Sequence, residues 1–335
     1  MGIIQKAKQN PKWNYSFSIC ATWAGAGSLI VGILMLQQFG VIPFLLWALG
    51  NTLCCVVFGI FAGKLPVLRK IFTSPIVKII IGFMCVFQLW INMSGIHDSL
   101  MIINSTLALI VTYFFAIGFL FLFLKFAMFK NVLTDDFSWK IVYVLIFILV
   151  LVSISTNGVS IPSAGMNQEG LTLGVQRFFT LIVGAFFYPY FWELFEFNEK
   201  QKEGVKKVNM TKCFVLGGML FGIYISFVFL LGMTSFSPGL EIMKGILLSL
   251  IALSSLTSFI YSIYISFGNK LGFAVNAAGM IGWYYLIPLG IMGVWNAMQD
   301  TRFILIVGTI FISLIWSKYT EKKGNKSYEY YQKEN

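Results

Sequence analysis

Apolar residues fill this chain in long blocks, and its charged residues gather in the short stretches between them. A helix that crosses a bilayer needs about 20 mostly apolar residues. Ten blocks come close to or exceed that length and predict ten spans: Tyr15 to Gln38, Val41 to Gly63, Pro75 to Ile102, Ser105 to Leu124, Asp136 to Thr156, Leu171 to Phe197, Thr211 to Met233, Leu240 to Gly268, Phe273 to Met298 and Thr301 to Ser317. Two of them are interrupted. The first carries Ala24-Gly25-Ala26-Gly27-Ser28 near its middle, where two glycines lower the helix propensity. The sixth carries Gly184-Ala185-Phe186-Phe187-Tyr188-Pro189, and the proline both removes a donor and clashes with the turn before it, so this helix should unwind near Tyr188.

Freed backbone groups at membrane depth are tolerated only where protein or a water-lined cavity receives them. Breaks at corresponding places in two halves of a chain point to a transporter built from inverted repeats, with its site at the midplane. The first and sixth of ten spans stand in that relation, and an odd number of spans per half inverts the second half. The expected fold is therefore an all-α membrane protein, ten helices in a 5+5 inverted repeat. Residues 1–13 precede the first repeat (14–156), the second follows (157–317), and 318–335 form a polar tail. For the first break a plainer alternative stands: a small-residue face against which another helix packs.

Ten spans put both termini on one side. All but Arg177, Lys244 and Arg302 of the 24 basic residues fall in the segments on that side, so the positive-inside rule places both termini in the cytoplasm. The loop Asn157 to Gly170 lacks Lys and Arg and is expected outside. This distribution also explains the formal charge of +11: the basic residues mark topology, and no nucleic-acid partner is implied. With 58% hydrophobic and 11% charged residues and a mean hydropathy of +0.82, the expected partner surface is the lipid bilayer of a plasma or inner membrane. Cys20, Cys54, Cys55, Cys85 and Cys213 sit in apolar segments without metal-ligand spacing and read as small hydrophobes. The first apolar stretch is longer than a signal peptide's core, so no cleavable signal is expected.

A third stretch, Ser249 to Ser266, sets Ser254, Ser255, Thr257, Ser258 and Ser262 into the eighth span. Most helical hydroxyls simply bond back to the preceding turn. Adjacent ones at mid-depth can also serve a small hard cation beside the carbonyls of a broken helix.

Together these stretches resemble the sodium:solute symporter family, within the group that shares the LeuT fold. Gly25-Ala26-Gly27 and the run to Phe39-Gly40 look like the family's broken first core helix. Thr134-Asp135 looks like its Thr-Asp pair at the fifth, Gly184 to Pro189 with Trp192 and Asn198-Glu199-Lys200 is similar to its sixth core helix, and Ser254-Ser255 matches its paired hydroxyls in the eighth. Lys270 and Leu194 stand where many members carry an acidic and a basic residue, and the usual extra terminal helices are missing. The resemblance implies a secondary active transporter driven by Na+ and carrying a small organic solute. It assigns the sodium to the carbonyls of Ala26, Leu29 and Ile251 with the hydroxyls of Ser254 and Ser255, and sets Asp135 on the ion's exit route. The solute cavity is expected among Gly25, Gly27, Ser28, Gln88, Asn92, Phe186, Phe187 and Tyr188.

His97 and Asp98 read as an interfacial pair, and Glu193 and Glu196 as part of a solvated loop. No HExxH, nucleophile elbow or P-loop is present and there is one histidine, so no enzyme is expected. Two alternatives remain open at this level: a ligand-sensing receptor subunit on the same fold, and a proton-coupled or uncoupled permease.

Overall fold

The computed structural model describes residues 11–64, 71–72, 74–123, 128–162, 168–200, 207–302, 304 and 308. Among them every regular element is helical. In chain order these are α1 (Pro11–Trp23), α2 (Ala26–Phe39), α3 (Val41–Ala62), α4 (Pro75–Met101), α5 (Ser105–Phe123), α6 (Met128–Asn157), α7 (Gln168–Ile182), α8 (Pro189–Glu199), α9 (Met210–Gly232), α10 (Pro238–Phe267), α11 (Asn269–Trp283) and a last helix, α12, over 290–302. Tight 3-10 turns at Gly184–Phe187 and Tyr284–Leu289 lead into α8 and α12.

The helix starts follow local chemistry. Pro75, Pro189 and Pro238 open α4, α8 and α10, where a missing N–H costs nothing. Asn209 caps α9 by accepting from the Lys212 N–H at 3.0 Å. Six of the helical stretches are long and apolar enough to cross a bilayer, and the pair α1 and α2, bent by 60°, forms a seventh when counted as one span. The protein is an all-α integral membrane protein.

Two packed groups of helices organise the interior. In one, α3 lies along α7 and α9; in the other, α4 lies along α10, which also meets α11. The α1–α2 pair runs between them, with α1 against α9 and α6 and α2 against α9, α3 and α4. Glycines set the closeness of these contacts. A Cβ on Gly59 would fall 2.4 Å from that of Phe214, and one on Gly95 would fall 2.4 Å from that of Ala26.

Two expectations are corrected here. The ninth and tenth spans do not divide between Met298 and Thr301. Pro288 in the turn and Gly290, with a left-handed φ of 60°, end the preceding helix earlier, so Arg302 lies twelve residues past the start of α12 and not in the first turn of a span. The remainder of the tenth span, beyond 308, lies outside the described residues, as do the polar tail and the residues before Pro11. Glu193 and Glu196 belong to α8 and are partly buried, and Glu196 pairs with Lys200 at 2.9 Å one turn on.

Candidate solute and ion sites

The first break is narrow and satisfied by side chains. α1 keeps its last regular bond at Ala24 N–H to Cys20 O, 2.9 Å, Gly25 turns extended at φ −40° and ψ 169°, and α2 restarts at Ala26. The Ala26 N–H, an orphan of the new helix start, donates to Asn92 Oδ1 at 3.0 Å, and Asn92 Nδ2 donates to Gln88 O at 2.8 Å. Ser28 Oγ sits 2.8 Å from both the Ala24 and the Gly25 carbonyl and 3.1 Å from the Tyr224 hydroxyl. Gly25 leaves the space that lets Asn92 approach: an added Cβ would lie 3.2 Å from its Oδ1.

At the second break, α7 stops at Ile182, the 3-10 turn carries Gly184 to Phe187, and Tyr188 is extended before Pro189. Trp192 Nε1 donates back to Phe186 O at 2.9 Å, which closes one of the freed carbonyls. Behind it Phe58 gathers Phe186, Phe191, Trp192 and Phe214 at ring distances of 4.8–5.6 Å. Phe186 and Phe187 both meet Phe72 and belong to this aromatic packing, while Tyr188 turns the other way against Trp23, 5.2 Å between rings.

Between the two breaks lies a small cavity, with room for water-sized groups of about 30 Å³. Of the expected lining, Gly25, Gly27, Ser28, Gln88 and Tyr188 face it, whereas Asn92 acts as the cap of α2, and Phe186 and Phe187 stand behind the wall. Trp23, Trp47 and Asn51 complete one side, and Trp295, Met298, Gln299 and Arg302 of α12 complete the other. Arg302 is 1% exposed, beside the Tyr188 hydroxyl and 3.7 Å from Met298 Sδ, with no carboxylate among its described partners. Its room depends on Gly184, since a Cβ there would lie 3.0 Å from Nη1. Gln88 Nε2 donates to Met298 Sδ across the cavity edge.

The hydroxyl cluster of α10 lies against α1, before the first break in chain order. Ser255 Oγ donates to Ala21 O at 3.0 Å, and Thr22 Oγ1 donates to Ser258 Oγ at 3.1 Å. The carbonyl that meets the eighth-span hydroxyls is thus that of Ala21, before the break. Ala26 and Leu29 lie after it, both buried in α2, and Ile251 is buried one turn before Ser255 on α10. Ser254 lies deeper in a polar net: it donates to Asp135 Oδ1 at 3.4 Å and accepts from Trp139 Nε1 at 3.2 Å. Asp135, 1% exposed, also accepts from Ser18 Oγ at 2.6 Å, and Ser18 meets the Tyr190 hydroxyl at 2.8 Å. So Asp135, Ser18, Ser254 and Ser255 join α1, α6 and α10 in one buried polar seam. The Thr134 side chain lies outside the described residues.

His97 is 5% exposed, packs on Trp283 at 5.5 Å and meets the more exposed Asp98 at 3.1 Å. All five cysteines are free and buried. Among the described residues no three His, Cys, Asp or Glu side chains come together.

Sequence reasoning missed Arg302 and Gln299, and one signal was there to be used. Starting α12 at Gly290 rather than Thr301 would have read Arg302, with Asp300 two residues before it, as a charge within a span, which is a functional-site pointer in itself. No family model matches this sequence, and no curated protein matches it. A solved structure of a manganese transporter from Eremococcus coleocola, in complex with an aromatic bis-isothiourea substituted compound, is similar at 12% identity and a TM-score of 0.41, over 92% of this chain and 72% of that one.

Proposed function

We propose that this chain is a secondary active transporter that moves a small organic solute by alternating access, with sodium as the coupling ion. One observation carries the reading: two broken helices from separate parts of the chain face each other across a buried polar cavity. Such breaks forfeit helical hydrogen bonds in a place where no water replaces them, and a purely structural bundle gains nothing from that. A solute gains backbone dipoles and freed polar groups at mid-depth.

The fold proposed is the 5+5 inverted repeat of the LeuT type. Its support is the pairing of break positions and the division into the group containing α3, α7 and α9 and the group containing α4, α10 and α11. Rocking of the first against the second, with the α1–α2 pair moving with the first, would open the cavity to either side. Sodium would sit where the Ser254 and Ser255 hydroxyls approach α1, and Ala21 is the carbonyl best placed to share it. Helix ends that aim carbonyls at an ion reduce the need for negative charge, and the Asp135 carboxylate lies one hydroxyl away as the ion's route to the cytoplasm.

The test is uptake by the purified protein in proteoliposomes, using a panel of radiolabelled small solutes with and without an inward sodium gradient. Gradient-dependent accumulation of one solute is the expected result. Solute binding without accumulation under any sodium or proton gradient would replace transport by the receptor reading.

A further inference from the structure

Five of the eight buried side-chain nitrogen and oxygen atoms that lack a hydrogen-bond partner among the described residues line one cavity. They are Trp23 Nε1, Trp47 Nε1, Gln299 Nε2 and Oε1, and Arg302 Nε. A native interior leaves few such atoms, and each one costs free energy unless something fills its bonding capacity. Four of the five are donors. With them stands the guanidinium of Arg302, buried and facing no carboxylate.

A buried cation without a counter-charge is among the most costly features a fold can hold. Its cost falls when a ligand brings the missing anion. The chemistry of the ligand follows from what converges on the space: a planar cation with paired N–H groups, two indole N–H donors, and an amide able both to give and to accept. Carboxylates match a guanidinium in a two-point arrangement, and the aromatic faces of Trp23, Trp47 and Trp295 suit a small organic body better than a bare inorganic ion.

Building on the transporter reading above, we propose that the solute is a small organic carboxylate, held by Arg302 as counter-charge and oriented by Gln299. Arg302 then does more than pay for itself electrostatically in the loaded protein. It makes the empty cavity electropositive and refuses cations and most neutral solutes. Asp300, two residues earlier, does not neutralise it: its carboxylate pairs with Arg177 at 3.1 Å and is 63% exposed.

The test uses the purified full-length protein in detergent, with tryptophan fluorescence and thermal unfolding as readouts. The probes are acetate, propionate and pyruvate, each set beside its neutral amide, with chloride, phosphate and sulfate as inorganic anions. At least one carboxylate is expected to bind saturably and to raise the unfolding temperature, while its amide does neither. Arg302→Gln should weaken that binding about tenfold or more, the usual scale for a lost charge-assisted contact. The same variant should unfold at a temperature no lower than the unliganded parent, because it removes an uncompensated charge; a purely structural arginine would give the opposite. Gln299→Leu should weaken binding with the charge left in place, which keeps the inference testable if Arg302→Gln does not fold.

Equal binding of acid and amide, binding of inorganic anions only, or no response to any carboxylate would each overturn the inference. Those failures leave uptake of another solute intact. Carboxylate binding without uptake would instead remove transport and retain the anion site.

Discussion

Ser254 and Ser255 are neighbours in sequence but do different things. Ser255 bridges α10 to the Ala21 carbonyl, whereas Ser254 completes the hydrogen bonding of Asp135 and Trp139. Replacing both by Ala should abolish sodium dependence of uptake or binding, since an ion at mid-membrane is left short of ligands. Ser254→Ala alone also strips a donor from a buried carboxylate and an acceptor from an indole, at about 1–3 kcal/mol for each group left unmatched. The diagnostic single variant is therefore Ser255→Ala, which leaves that net intact, and Ser255→Thr, which restores the hydroxyl, should recover the sodium response. Full sodium dependence in the double variant, measured on protein that still elutes as a folded species, would move the ion site elsewhere. The hydroxyl pair was legible in the sequence because hydroxyls are rare at such density in an apolar helix. Arg302 was not, because its meaning depended on a helix boundary twelve residues away, and a left-handed glycine is a weaker signal than a run of apolar residues.

Both helix breaks were legible as elements, since glycine pairs and an internal proline disfavour the helix for reasons that do not depend on tertiary context. Hidden from sequence were the groups that repair the breaks: Asn92 on α4 for Ala26, and Trp192 for Phe186. Long-range partners of this kind have no periodicity to reveal them. The contact between α4 and α2 gives an element-scale prediction. Gly95 allows α4 to lie against Ala26, and a methyl there would fall 2.4 Å from the Ala26 Cβ, well inside any tolerated contact. Gly95→Ala should therefore push the start of α2 away from Asn92 and destabilise the protein by about 1–3 kcal/mol, the usual cost of overpacking. Gly118→Ala on α5 is the control, because nothing lies within 4 Å of its added methyl and alanine is the better helix former. Thermal unfolding of the two variants should separate them, with only the first below the parent. Equal unfolding temperatures would mean that the two helices can part without loss, and that the break is not held from α4.

For the whole molecule, the all-helical, membrane-spanning character came from block length alone, which is the strongest sequence signal in a membrane protein. The expected orientation of the molecule in the membrane rests on the distribution of Lys and Arg, and it yields a direct test. Gly158, with a φ of 70°, ends α6, and the chain then runs to Ser160, whose N–H donates to Met233 O at 2.8 Å at the end of α9. That bond uses backbone atoms only, so a cysteine at 160 keeps it, and the side chain is exposed. In a background with Cys20, Cys54, Cys55, Cys85 and Cys213 replaced by Ala or Ser, Ser160→Cys should react with a membrane-impermeant thiol reagent in intact cells. The ends of α6 and α9 meet at this point through Asn157 Nδ2 to Ser235 O, 2.7 Å, and Ser153 Oγ to Thr234 Oγ1, 2.8 Å, so the label reports the side on which both helices finish. The opposite end of α9, where Lys212 lies in the first turn, should give the complementary result: a cysteine in that position labels only after the cells are opened. The reverse pattern at the two positions would invert the molecule in the membrane, and with it the direction in which the Asp135 seam could release an ion.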